Sequence, residues 1–306
     1  QLMENAGLNV AQEVWMQLGH VEDRRIVVLV GPGNNGGDGL VAARHLHAWG
    51  AHITIYLCTN RRADDPKLAT VREHSEDILL ISEDDGLARL REALSGAYMA
   101  VDALLGTGRT RPIEGKMKGV LLELAAAKAN RSELRILALD LPSGLNADSG
   151  AVDSVCPTAD ITVTLGYPKV GLYVFPGAEH TGAVEIADIG LPAGLDGEID
   201  LELMTAPWAK AALPARPLSA HKGTFGRTLV VAGSRDYVGA AYLAATAAAR
   251  SGAGLVTLAI PESLQPAVSA KATEPTYLCL PEYSPGELSS EGADLVIQRL
   301  PEYDSL

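Results

Sequence analysis

Residues 26–39 read Ile26-Val27-Val28-Leu29-Val30-Gly31-Pro32-Gly33-Asn34-Asn35-Gly36-Gly37-Asp38-Gly39. The first five are apolar with no polar alternation, the pattern of a strand buried on both faces. A glycine-rich turn follows, and Gly31, Gly33 and Gly36 satisfy G-x-G-x-x-G between this strand and an Ala/Leu-containing helical pattern at 40–49. A strand, a tight turn and a helix in that order predict a parallel βα unit whose turn can hold phosphate through backbone N–H groups.

Working outward, the same alternation recurs. Residues 53–57, 98–101, 136–139 and 161–165 are further apolar strands, and 86–94 and 116–129 are helical between them. An amphipathic segment at 2–18 precedes the first strand, and 183–187 reads as a last, antiparallel edge strand. The expected fold class is α/β, a three-layer αβα Rossmann-like mostly parallel sheet joined by right-handed crossovers. Residues 191–222 hold Pro207, Pro214 and Pro217 and no clear period, which suggests an inter-domain connection. Beyond it come a strand at 227–232, an Ala-rich helix at 239–250 and a strand at 255–260, so a second α/β unit begins near His221. Residues 284–306 are polar, with no evident cap or strand. The boundary is placed between 210 and 211.

With 306 residues, nearly half of them apolar, the chain is long enough for two cores. Its formal charge of −13 disfavours nucleic acid and anionic membranes as partners. No run approaches the roughly 20 apolar residues of a spanning helix. Cys58, Cys156 and Cys279 are far apart and show no CxxC, so they read as buried small hydrophobes in a reducing compartment. The expectation is a soluble cytoplasmic protein acting on a small molecule.

Chemistry-bearing residues fall at strand ends. The third strand runs into Asp102-Ala103-Leu104-Leu105-Gly106-Thr107-Gly108, and the fourth into Asp140-Leu141-Pro142-Ser143-Gly144-Leu145-Asn146-Ala147-Asp148. In parallel sheets ligands bind outside the carboxyl ends of the strands, so 34–38, 102–108 and 140–143 are expected to line one crevice. Either Asp alone reads equally well as a helix N-cap. Three glycine-flanked acids at three strand ends are less easily explained that way. Asn35 and Ser143 taken singly also fit turn residues bonded to their own backbone. An ordinary NAD site needs an Asp or Glu about 20 residues past the glycines. Here the second strand ends Leu57-Cys58-Thr59-Asn60-Arg61-Arg62 with no acid, which disfavours a hydride-transfer dehydrogenase.

These strings, together with Met3-Glu4-Asn5-Ala6-Gly7, resemble in content and order the signature blocks of NAD(P)H-hydrate epimerase, a nicotinamide nucleotide repair enzyme. The resemblance spans residues 1–210. It implies interconversion of the R and S forms of hydrated NADH or NADPH. By the same resemblance, Asn34, Asn35, Gly36, Gly37 and Asp38 wrap the substrate together with Gly106, Thr107, Gly108, Arg109, Thr110, Arg111 and Pro112, and Asp140 touches it. A potassium ion is implied on Asn35, Asp102 and Ser143; one carboxylate, an amide oxygen and a hydroxyl or carbonyl suit a weakly charged hard cation. A homodimer is also implied. Asp140 is the candidate general acid and base, since burial at the end of an apolar strand favours the protonated carboxyl; Asp38 is second choice. Arg61 and Arg62 are placed to meet a 2′-phosphate.

His221-Lys222-Gly223-Thr224-Phe225-Gly226-Arg227 and Val230-Val231-Ala232-Gly233-Ser234 resemble the opening of ADP- or ATP-dependent NAD(P)H-hydrate dehydratase, which is ribokinase-like. The resemblance implies Gly239 and Ala240 near the hydrated cofactor; for His221 and Lys222 a solvated linker is at least as good an explanation. The family's later Gly-Thr-Gly-Asp string does not occur in this sequence. Residues 211–306 are thus expected to be an incomplete ribokinase-like domain without dehydratase activity, and ADP or ATP to matter only for a complete one. The competing reading is a catalytically idle dimerising scaffold of the same fold, against which the retained acids and glycine block argue.

Overall fold

The computed structural model describes residues 1–59, 68–69, 77–108 and 111–306. Four residues singled out above, Arg61, Arg62, Arg109 and Thr110, lie outside the described residues. The chain divides into two compact units, Gln1–Leu203 and Met204–Leu306.

In the first unit, α1 (Leu2–Leu18) leads into β1 (Arg25–Val30), α2 (Asn34–Ala48), β2 (His52–Leu57) and β3 (Asp77–Leu80). Then come α3 (Ala88–Gly96), β4 (Met99–Ala103), α4 (Gly115–Asn130), β5 (Arg135–Leu139), β6 (Ile161–Leu165) and β7 (Ala183–Ala187). The seven strands form one sheet in the order β3-β2-β1-β4-β5-β6-β7, parallel throughout. Apolar strands without alternation require cover on both faces, and both are covered. Ile26, Val28 and Val30 pack with Val10, Val14, Leu40 and Leu46 from α1 and α2. Val27 and Leu29 pack with Leu90, Leu94, Val120 and Leu124 from α3 and α4. This is the three-layer αβα arrangement expected. The order of the strands reverses between β1 and β4, and that switch point opens a crevice at their carboxyl ends.

Three expectations need correction. The strand at 183–187 runs parallel to β6, because the chain crosses back through the short 3₁₀ turns Val170–Leu172 and Gly177–Glu179 before re-entering the sheet. The glycine-rich stretch is not a loop before a helix at 40: α2 begins at Asn34, so Asn34 to Gly39 are its first turns. Glycine is a poor helix former, but here close packing requires it. A Cβ on Gly39 would lie 2.6 Å from Ala103 Cβ, and one on Gly7 would lie 2.5 Å from Val41 Cβ. An additional strand, β3, extends the sheet beyond β2.

The second unit opens with α5 (Ala206–Ala212), inside the stretch where no period was seen. Thr205 caps it by accepting from Trp208 N. Next come β8 (Arg227–Val231), α6 (Val238–Ser251), β9 (Leu255–Pro261), α7 (Gln265–Ser269) and β10 (Thr276–Leu280), with the strands parallel in the order β10-β9-β8. A small hairpin, β11 (Glu282–Ser284) and β12 (Glu287–Leu288), precedes α8 (Ser290–Arg299). The polar tail is therefore structured after all: Ser289 caps α8, and Leu295, Val296 and Leu300 pack on Leu229, Ala259 and Leu280. Cys156 is buried and Cys58 half-buried, but Cys279 is exposed, contrary to the expectation of three buried thiols. Among the described residues no helix is long and apolar enough to cross a membrane.

Candidate functional site

At the switch point the first strand ends in Gly31, whose N–H donates to Ala103 O across the β1–β4 gap. A Cβ on Gly31 would stand 1.7 Å from Leu104 O, so only glycine lets the two strand ends come this close. Just beyond, Asn35 lies in the first turn of α2, 8% exposed, with its side-chain Nδ2 lacking a hydrogen-bond partner among the described residues. Asp38, one turn further on, is also buried.

Asp102 sits near the end of β4 with no exposed surface. It caps no helix. Its Oδ2 accepts from Ser143 N–H at 2.8 Å, and its Oδ1 accepts from Ser143 Oγ–H at 2.7 Å and Leu104 N–H at 3.3 Å. Ser143 Oγ in turn accepts from Leu105 N–H at 3.0 Å. The pair thus joins the ends of β4 and β5. Burial pushes the Asp102 carboxyl up from the ordinary carboxylate value, and the Ser143 hydrogen bonds offset only part of that. All three donors are neutral, and among the described residues no cation is bonded to the Asp102 carboxylate.

Asp140 follows β5 and takes a left-handed backbone, φ +68°. For a residue other than glycine that costs about 1 kcal/mol, and such outliers gather at functional positions. Its N–H donates to Val163 O, which fixes the turn to β6. Its Oδ1 accepts from Lys169 Nζ at 2.6 Å and Leu165 N–H at 3.1 Å, with Thr164 Oγ1 more distant at 3.5 Å. A Cβ placed on Gly106 would lie 3.5 Å from Asn35 Cβ and 3.7 Å from Asp140 Oδ2, so these three residues meet in space.

A cleft of about 920 Å³ occupies this rim, within the size range of small-molecule sites. Asn34, Asn35, Asp38, Gly106, Thr107, Gly108, Arg111 and Asp140 line it, together with Pro32, Gly33, Leu104, Leu105 and Leu165. Pro112 lies outside it, in an adjoining groove of about 310 Å³ that shares Leu105, Gly106 and Arg111. Gly36 and Gly37 are buried inside α2, and Asp102 and Ser143 beneath the floor, bonded to the Leu104 and Leu105 amides. Gly239 and Ala240 belong to the second unit, exposed in the first turn of α6. Among the described residues no cluster of three His, Cys, Asp or Glu side chains exists, which excludes there the ligand sets usual for Zn²⁺ or Ca²⁺. Sequence reasoning missed Lys169. The signal was present, since Gly166-Tyr167-Pro168-Lys169 follows another strand, β6, at the same rim.

Comparison with known proteins gives the chain relatives over its whole length. The family described as YjeF-related protein N-terminus matches residues 1–171, and the one described as NAD(P)H-hydrate dehydratase matches 228–282. A protein of Moorella thermoacetica named bifunctional NAD(P)H-hydrate repair enzyme Nnr is 42% identical over 100% of this chain and 58% of its own length. Its namesake in Thermofilum pendens is 36% identical over 97% of this chain and 56% of its own. The chain thus spans somewhat more than half the length of these relatives. Among solved structures, yeast ynu0, YNL200c, superposes with a TM-score of 0.50 at 29% identity, covering 59% of this chain and 74% of that one.

Proposed function

The chain belongs to the YjeF-related protein N-terminus family, and on that premise we propose that its first unit interconverts the R and S forms of hydrated NADH and NADPH. The relatives carry hydrate repair in their names. The observation that carries the reading is the meeting of Asn35, Gly106 and Asp140 in one cleft at the switch point of the sheet. The N-terminus of the fifteen-residue helix α2 opens at the same rim, the arrangement that suits a diphosphate. Asn34 to Asp38 on one side, and Gly106 to Pro112 on the other, are the proposed substrate contacts.

Epimerisation at the hydrated carbon of the ring proceeds by loss and return of water. In the form that carries a proton on Oδ2, Asp140 gives it to the ring hydroxyl, the C–O bond breaks, water leaves, and the ring nitrogen's lone pair closes a C=N bond. Water then adds to the other face, the C=N electrons return to nitrogen, and a carboxylate collects the released proton. Asp38, which lines the same cleft, is the second carboxylate available for that role.

Asn35, Asp102 and Ser143 are the proposed holders of potassium. They fit it in charge and donor type, because Asp102 is a fully buried carboxylate bonded only to neutral donors and the Ser143 hydroxyl oxygen stands beside it at 2.7 Å. A bound potassium ion would supply positive charge to offset the Asp102 carboxylate. The domain assignment we propose is 1–210 for the epimerase and 211–306 for the start of a dehydratase domain. In the latter, Gly239 and Ala240 contact hydrated cofactor, and ADP or ATP serves the complete domain. Homodimer formation and a cytoplasmic location complete the proposal. An idle scaffold would have no use for an Asp140 Oδ2 without a hydrogen bond from any described residue and facing the cleft.

Asp140→Asn tests the reading. Asparagine tolerates the left-handed backbone and keeps an oxygen for Lys169 and Leu165, so the fold is preserved. Turnover is expected to fall about 100-fold or more, the usual scale of general acid–base catalysis. Unchanged turnover would reject the role of Asp140.

A further inference from the structure

Asp140 presents its two carboxylate oxygens to different surroundings. Oδ1 is held by Lys169 Nζ at 2.6 Å, by Leu165 N–H at 3.1 Å and, at longer range, by Thr164 Oγ1. Oδ2 receives no hydrogen bond from any described residue and lies toward Gly106, where the cleft opens. Only one of the three contacts to Oδ1 is charged. The ammonium also donates to Leu165 O at 2.7 Å, so it joins the residue after β5 to the end of β6. Both side chains are mostly buried, at 18% exposure for Lys169 and 13% for Asp140. A charge-assisted bond this short, away from solvent, holds a side chain in one rotamer far better than a neutral contact does.

Lys169 itself does not line the cleft. It contacts Asp140 through Oδ1, whereas Oδ2 is the oxygen that lies toward Gly106. Without the ammonium, the carboxylate would be free to turn about its side-chain torsions and offer either oxygen, or neither, to the ring hydroxyl. Catalysis of this kind is sensitive to placement at the level of an ångström.

We infer that Lys169 is a positioning residue for the reaction: it fixes Asp140 Oδ1 so that Oδ2 alone faces the substrate and exchanges the proton. The inference rests on the epimerase reading above. It adds to that reading a residue whose loss lowers the rate of the chemical step and leaves substrate affinity in place.

The test compares wild type, Lys169→Ala and Lys169→Met in the conversion of purified R hydrate, with kcat and KM measured separately. Lys169→Ala is expected to lose about 100-fold in kcat with KM changed by less than about threefold, because a transition-state contribution is removed and ground-state binding is not. Ethylammonium added to Lys169→Ala fills the vacated slot and restores kcat by about tenfold or more, toward the general acid–base contribution that was lost. In Lys169→Met the side chain occupies the slot, so kcat is low and indifferent to the amine. If Lys169→Ala fails to fold, Lys169→Met, which conserves volume, carries the test through its kcat and its unfolding midpoint. The inference is overturned by variants with near wild-type kcat, by a loss confined to KM, or by a Lys169→Ala defect that ethylammonium does not relieve. Wild type that converts R hydrate while a variant does so equally well defeats the inference alone. Wild type that leaves R hydrate at its spontaneous rate defeats the epimerase reading and the inference with it.

Discussion

Replacing Asp102 by asparagine removes one negative charge from a site with no solvent exposure and only neutral hydrogen-bond donors. Asparagine keeps most of the local bonding. Its oxygen can accept Ser143 N–H, and its amide can donate to Ser143 Oγ. The Leu104 N–H contact, already long at 3.3 Å, is lost at a cost of about 1 kcal/mol. The buried charge disappears at the same time, an opposing gain of similar scale. In potassium-free buffer the variant should therefore unfold within a few degrees of wild type. With potassium the two should separate. At ten times the dissociation constant, a ligand of the folded state alone contributes RT ln 11, about 1.4 kcal/mol. For a unit of this size that raises the melting temperature by roughly 3–6 °C. Asp102→Asn should gain less than about 1 °C, since the ligand charge is gone. The sign of the pH dependence follows from burial. The folded carboxyl is raised, so without potassium the stability Asp102 contributes is fully present below about pH 4 and is lost as pH rises through the folded value. The potassium-dependent gain should accordingly grow as pH rises through the range in which the folded Asp102 carboxyl ionises. The assay is heat unfolding in potassium chloride against tetramethylammonium chloride at equal ionic strength. Equal potassium shifts in wild type and variant, or none in wild type, would refute the argument.

The glycines of the first turn should differ sharply in their tolerance of alanine. Gly31→Ala places a Cβ 1.7 Å from Leu104 O and should cost about 3 kcal/mol or more. Gly33→Ala meets nothing within 4 Å and should stay within about 0.5 kcal/mol of wild type; denaturant unfolding of both variants distinguishes the two outcomes. Among the thiols, exposed Cys279 should react first with a disulfide reagent. Cys156, whose thiol burial pushes up to about 12, should react only on unfolding, as should Cys58, raised further by burial and by Asp102. Peptide mapping of a timed labelling reaction would show the order.

Much of this architecture was legible in the sequence because strands buried on both faces leave an unmistakable apolar run, and those at 26–30, 53–57, 136–139 and 161–165 coincide closely with β1, β2, β5 and β6. What propensity hid was decided by tertiary contact. The first turns of α2 are rich in glycine, yet they are helical, and Gly39 there and Gly7 in α1 sit where a Cβ would meet Ala103 and Val41. The direction of β7 depends on where its connection crosses, which no local pattern reports. In α8 the short apolar run at Leu295 and Val296 sits in a polar stretch, so its role appears only once it packs, with Leu300 just past the helix, on β8, β9 and β10. For the site, the strand-end rule pointed to Asn35, Asp38, Gly106 and Asp140, which line one cleft, and to Asp102 and Ser143, which lie outside its lining; Arg111, which also lines it, came only from the family resemblance. Lys169 was overlooked because the strand-end rule was applied to the segments after β1, β4 and β5 and not to the one after β6. Its contact with Asp140 spans 29 residues of sequence and exists only in three dimensions.

The claim on which the rest depends is that this cleft turns one hydrate epimer into the other. Pure R hydrate, incubated with the protein in potassium buffer and sampled by chromatography, should approach the R/S equilibrium mixture at a rate proportional to protein concentration. Pure S hydrate should converge on the same mixture from the other side. Conversion at the protein-free rate from both starting epimers, with folded protein present, would contradict the account.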